Sequence, residues 1–208
     1  MNKLGSILAK VLVVMVIASC GASSTLVGSW QSDSYNKRQL RKVMVIAETS
    51  DRRVRQIIEQ EFVQQFMDRK VRALSSITLM GTQTVINREN VIKAIDETDI
   101  DAVFAIRLVD EKTEENATPG AGTDYSEPPR YYYNYYDYHE RSSTTVSSSG
   151  YGTTSVVYVL ESNLYDAGTA DLMWTATTKT TDPKSAEDAV PPLSRVLMKA
   201  LDRAGFFR

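Results

Sequence analysis

Cys20 is the only cysteine of this 208-residue chain and His139 its only histidine, so thiol or imidazole chemistry would have to run through one of two positions. A single thiol cannot close a disulfide within the chain or build a cysteine-clustered zinc site, but it can carry a thioether. His139 lies in EPPRYYYNYYDYHE, a stretch with no apolar period, and a general base needs held geometry that such a stretch does not supply. The carboxylates of Asp110, Glu111, Glu114 and Glu115 lack the alternating spacing of a calcium loop, and Asp96, Glu97, Asp99 and Asp101 straddle the end of a helical pattern. Both groups read as solvent-facing charge. The first strand pattern leads into AETSDRR, with no glycine to let backbone amides cradle a phosphate, and neither G-x-x-x-x-G-K-[ST] nor G-x-G-x-x-G occurs. We therefore expect no catalytic residue, no metal site and no cofactor: the chain reads as a non-enzyme. If a small ligand binds, the expected place is the strand-end crevice, lined by Glu48, Thr49, Ser50 and Asp51.

The other concentration of functional side chains is aromatic. Tyr131, Tyr132, Tyr133, Tyr135, Tyr136 and Tyr138 fall within eight residues, with Tyr125 just before them. Tyrosine combines a large contact area with a polar tip and few rotatable bonds, which suits a contact surface for protein, glycan or peptidoglycan. The plainer alternative is a low-complexity insert, tolerated because long loops cost little. Stacking on nucleic acid needs aromatics among basic groups. Here Arg130 and Arg141 stand in an acidic field, and the whole chain carries a net charge of −2, so no nucleic-acid partner is expected.

The surroundings of Cys20 give it a role. Lys3 and Lys10 form a basic start, Val11 to Ala18 (VLVVMVIA) an apolar run too short to span a bilayer, and small residues follow. Ile17-Ala18-Ser19-Cys20 resembles the bacterial lipobox, where the signal is cut before the cysteine and the cysteine is lipidated. That resemblance implies a signal peptide over residues 1–19, lipid (palmitate among its chains) on Cys20, and a Gram-negative envelope lipoprotein. Gly21, rather than an aspartate, follows the cysteine, which implies the outer membrane with the protein facing the periplasm. The mature chain would hold 22 basic and 26 acidic residues, a net of −4.

These groups must be positioned by the remaining chain, whose 42% apolar content is enough for one domain with a core. Residues 20–41 are polar and rich in Gly and Ser, and read as a lipidated tether pinned by Trp30 and Tyr35. Val43–Ala47 is a strand pattern buried on both faces. Thr49 and Ser50 offer helix caps, and Val54, Ile57, Ile58, Phe62, Phe66 and Met67 recur at helical spacing. A second strand pattern follows over 71–75, a helix capped by Asn87 with an Ile86–Val91 staple runs to residue 96 or 97, and a third strand covers 102–109. Residues 110–154 lose all period and hold the tyrosines; between 110 and 141 there are eight acids and three bases. Segments 155–165 and 170–180 form an antiparallel hairpin around Asp166-Ala167-Gly168-Thr169, with Leu172, Trp174 and Ala176 on one face. A last helix after Pro191 and Pro192 places Leu193, Val196, Leu197, Ala200 and Leu201 inward and stops at Gly205.

The expected fold is α/β with an α+β tendency: a parallel βαβαβ core, a C-terminal antiparallel hairpin and a final helix, in a three-layer-like single domain over 42–206 with one long insert at about 110–154. The segments KVMVIAE, DAVFAIRLVD and SNLYDAGTADLMWTATTKT, with the closing helix, resemble the small α/β domain of bacterial envelope lipoproteins related to the TolB N-terminal domain, the curli secretion protein CsgG and the penicillin-binding-protein activator LpoB. The resemblance covers roughly residues 28–206 and implies fold more than activity. The expected function is a non-enzymatic, lipid-anchored interaction or scaffold module. Its expected partners are the membrane through Cys20, an unidentified envelope protein through the tyrosines or a sheet edge, and a second copy of itself. The alternative is an accessory subunit of an envelope assembly, transport or peptidoglycan-synthesis machine.

Overall fold

In the computed structural model, which describes residues 21–34, 39–114, 134 and 155–207, the chain is organised around β2 (Lys42–Glu48), whose residues Val43 to Ala47 are completely buried. The near-continuous apolar run gives both faces of this strand something to bury. Val43, Val45 and Ala47 enter one core, and Met44 and Ile46 enter the other. β2 pairs in parallel with β3 (Arg72–Ser75) on one side and β4 (Ala102–Glu114) on the other. β5 (Ser155–Asp166) and β6 (Leu172–Thr181) continue the sheet as an antiparallel hairpin. With β1 (Ser23–Gln31) beside β6, the mixed six-stranded sheet has the order β1-β6-β5-β4-β2-β3. The parallel core and the hairpin are those the periodicities predict.

Two helices cover one face. α1 (Arg52–Asp68) brings Ile58, Phe62 and Phe66 onto the sheet, where both phenyl rings meet Phe104 at centroid distances of 5.2 and 5.4 Å. α4 (Ala186–Arg203) adds Val190, Leu193, Leu197 and Leu201 to the same core. The other face carries the short α2 (Ser76–Met80) and α3 (Arg88–Thr98), with Val91 and Ala94 packed on Met44, Ile46 and Val103. Asn87 caps α3 by accepting from the Asn90 amide at 2.9 Å, and Ile86 joins the core that holds Val91, as the staple requires.

Six expectations are corrected, the first being that Leu172, Trp174 and Ala176 share one face: Trp174 and Ala176 enter the core of Phe62 and Phe66, and Leu172 the opposite one. Residues 23–31 are not tether: they form β1 (Ser23–Gln31), antiparallel to β6 from Ser23↔Thr181 to Gln31↔Trp174. The domain therefore begins about twenty residues earlier than residue 42. The insert does not begin at 110, because β4 continues to Glu114 and pairs with β5 as far as Ser155. Asp110 and Glu111 are thus strand residues, with Lys112 Nζ at 2.8 Å from the Asp110 carboxylate. The cap of α1 is Asp51, accepting from the Arg53 and Val54 amides, rather than Thr49 or Ser50, and Met67 near the helix end is half exposed. α4 starts before the prolines: Ser185 caps it, and Pro191 and Pro192 lie inside. Asp101 is not solvent-facing charge but nearly buried, accepting from the backbone amides of Arg41 and Lys42 at 3.1 and 3.0 Å and so fixing the entry to β2.

Candidate functional site

The carboxyl end of β2 delivers the chain into α1, whose cap at Asp51 satisfies two orphan amides of the first turn. The first turn of α4 arrives beside it, its cap Ser185 accepting from the Asp188 amide at 3.3 Å. Arg53 Nη2 links the two helix starts through Glu187 at 2.7 Å. The Glu187 carboxyl accepts from its own backbone amide, from Arg53 and from Ser185, which together lower its pKa to about 2.

Between these helix starts and the sheet lies a cavity of about 370 Å³, within the size range of small-molecule sites. Its walls are apolar: Ala47 from β2, Val54 and Ile58 from α1, Ile106 and Leu108 from β4, Leu160 from β5, and Ala189, Val190 and Leu193 from α4. Leu108 is 40% exposed, a large apolar side chain left open at the rim. Its polar lining consists of Glu48, Thr49, Tyr158, Lys184 and Ser185, all at least partly exposed, and Thr180, which is completely buried. Burial, and then the neighbouring Glu111 carboxylate with which Tyr158 hydrogen-bonds, push the phenol pKa of Tyr158 up. The lining hydroxyls are already engaged: Thr49 accepts from the Asp51 amide, Ser185 caps α4, and Thr180 shares a 2.7 Å bond with Ser24. Such a lining suits the apolar body of a small molecule.

Of the four residues expected at the strand-end crevice, Glu48 and Thr49 line the cavity, Asp51 is spent as a cap, and Ser50 is exposed away from it. The walls from β5 and α4 were not foreseen. Their signals were Leu160 in a strand pattern and the serine before A-E-D, which starts α4 five residues ahead of its prolines. Cys20, His139 and Tyr131, Tyr132, Tyr133, Tyr135, Tyr136 and Tyr138 lie outside the described residues. Asn134, in the midst of the tyrosines, is described: it bridges antiparallel to Asp171, at the turn between β5 and β6.

A second polar cluster also lies on α1. Glu59 is completely buried, and its carboxylate accepts from the Ala47 amide at 3.2 Å, Arg55 Nε at 3.1 Å, the Ser76 hydroxyl and the Ile77 amide at 3.0 Å. Arg55 in turn donates to Ser76 Oγ at 2.6 Å. Every acceptor is occupied by groups from β2, α1 and α2, so the pair ties three elements together rather than facing a substrate. Among the described residues no helix is long and apolar enough to cross a membrane, and no three His, Cys, Asp or Glu side chains gather as for a metal.

No family model matches the chain, and no curated protein matches its sequence. Among solved structures, the chain is similar to the PelC dodecamer from Paraburkholderia phytofirmans, at 10% identity and a TM-score of 0.42 over 85% of this chain and 95% of that one. It is also similar to lipoprotein GNA1162 from Neisseria meningitidis, at 10% identity and a TM-score of 0.43 over 79% and 96% of the two chains. The hypothetical protein CT253 from Chlamydia trachomatis gives 10% identity and a TM-score of 0.34 over 82% and 98%. At one identical residue in ten, what those chains bind or assemble into stays with them.

Proposed function

We propose that this chain is a lipid-anchored envelope protein that holds a partner without catalysing a reaction. Cys20 carries the lipid, the outer membrane's periplasmic leaflet is its site, and the α/β domain is the binding module. The observation that carries this reading is the placement of the lone cysteine: it closes an export-signal pattern, and the first sheet strand starts three residues later, at Ser23. More than one acyl chain on Cys20 suffices for stable anchoring. The partner-binding surface is the tyrosine stretch 131–138, a reading supported by the bridge from Asn134, within it, to Asp171 at the hairpin turn. The edge strand β1 offers a second pairing site, open to another copy.

The test is in-cell crosslinking of the tagged full-length protein beside a variant lacking residues 125–138, with membrane fractionation of a Cys20→Ala variant. We expect one envelope protein to be captured by the parent and lost in the deletion. We also expect Cys20→Ala to leave the membrane or to keep its signal. Normal processing and tight membrane association of Cys20→Ala would defeat the anchor. Adducts indifferent to the deletion would remove the tyrosines from the binding surface.

A further inference from the structure

The apolar cavity and the start of the folded chain lie at the same end of the sheet. Ser24 Oγ is bonded to Thr180 Oγ1 at 2.7 Å, and Thr180, completely buried, lines the cavity. The Ala22 amide donates to the Asp188 carboxylate at 3.3 Å, on the turn of α4 whose Ala186 and Ala189 form the cavity wall. Cys20 precedes Ala22 by two residues, so the chain can carry it at most about 7 Å from that anchor point. Of the polar residues that line it, Thr180 is completely buried with its hydroxyl taken up by Ser24, while Glu48, Thr49, Tyr158, Lys184 and Ser185 are at least partly exposed. Such a site fits a guest with an apolar body and a polar end held outside. Left empty, it would forfeit the contacts of its wall atoms and leave Leu108 facing water.

We infer that the cavity is the seat of one acyl chain of the lipid on Cys20, folded back into its own domain while the remaining chains stay in the bilayer. This rests on the proposed lipidation of Cys20. Seating one chain fixes the orientation of the domain on the membrane, because the lipid then grips the protein at a second place besides its covalent bond.

The test uses the full-length protein made in cells fed a fatty acid bearing a photoreactive group and an alkyne. After illumination, the protein is purified and its crosslinked peptides are mapped. The expected product, at monomer mass, joins the Cys20 peptide to peptides containing Val54 or Val190. In Ala189→Trp, whose indole fills the cavity, that product falls about tenfold, an indole competing directly with the chain, while the alkyne label on Cys20 is unchanged. Val54→Phe serves if Ala189→Trp does not fold. If Cys20 is labelled but its chain crosslinks only to phospholipid, the seat is wrong and the anchor stands. If cavity peptides carry a free phospholipid or the Cys20 peptide of another copy, the cavity has a different occupant and the inference is overturned. If Cys20 takes no label, the anchor and the seat fall together.

Discussion

At the scale of single residues, the buried Arg55–Glu59 pair should matter most to stability. Removing one partner of a buried ion pair leaves an uncompensated charge, at a cost of about 3–5 kcal/mol. Arg55→Met should therefore lower the unfolding free energy by about that much in urea titration. Glu59→Gln should also destabilise, although it removes the charge. Glu59 Oε1 takes three donors and Oε2 faces the Ile77 amide, so one end of an amide side chain must meet N–H with N–H. Parent-like stability in both variants would mean that the network is slack. Glu187 makes the contrasting case, an exposed carboxyl held by Arg53, Ser185 and its own amide. Its folded pKa of about 2 lies below the ordinary 4.5, so the unfolded chain binds the proton more readily. Its contribution is complete above 4.5 and is lost as pH falls through about 2. The Tm difference between the parent and Glu187→Gln should accordingly be present at neutral pH, narrow below 4.5 and vanish near 2. A constant difference across that range would show that the carboxyl is not held.

At the scale of elements, β1 gives the sharpest prediction. Replacing residues 23–31 by a flexible Gly-Ser segment would leave a tether unaffected. Here it strips Leu26 from one core and Trp30 from the other and exposes the edge of β6. Burying a large apolar side chain contributes about 1.5–3 kcal/mol, so a loss of at least about 2 kcal/mol in urea unfolding is expected, with a tendency to aggregate. An unchanged midpoint would return these residues to tether. The strand was illegible in the sequence because its pairing register shifts between Leu26 and Gly28, at Val27. Leu26 and Trp30, four apart, should share a face in a regular strand, but the shift sends them to opposite faces and erases the two-residue period. The same device misled the reading of β6: the shift at Met173 puts Trp174 in the α1–α4 core and Leu172 with α3, not on one face. A third shift, at Val109, hides the last turn of β4 inside an acidic stretch and brings Glu111 opposite Tyr158. What was legible is what keeps a regular period, β2, α1 and α3, together with the hairpin, whose turn at Asp166 to Thr169 is written in the residues between its strands. Two of the six polar residues lining the cavity, Glu48 and Thr49, followed from the strand-end rule, whereas its apolar walls depend on which elements the sheet order sets side by side.

At the scale of the whole molecule, the loss of the tether changes what the proposed lipid anchor on Cys20 could do. A twenty-residue tether would let the domain roam up to about 70 Å from the membrane, but the two residues between Cys20 and Ser23 allow about 10 Å. The ends of β1 and β6, the start of β5 and the first turn of α4 should all lie against the bilayer, because Ser23, Thr181 and Val157 share one register line and Ala22 is bonded to Asp188. The turn at Gly168 and Thr169 stands at the far end of a twelve-residue strand, about 40 Å away at the rise of an antiparallel sheet. The order of distances is therefore fixed by topology and can be read with a dye. With the lipidated protein in liposomes carrying an acceptor on a headgroup lipid, a donor on Lys184→Cys should transfer energy strongly and one on Thr169→Cys weakly. Both sites are exposed, so labelling should leave the fold intact. Lengthening the join by a Gly-Ser insertion after Gly21 should bring the two efficiencies together. Equal transfer in the parent would mean that the domain swings freely, and the short join would then not orient it. Strong transfer at Lys184 alone would place the hairpin turn, and the bridge from Asn134 to Asp171 beside it, on the side that faces the periplasm.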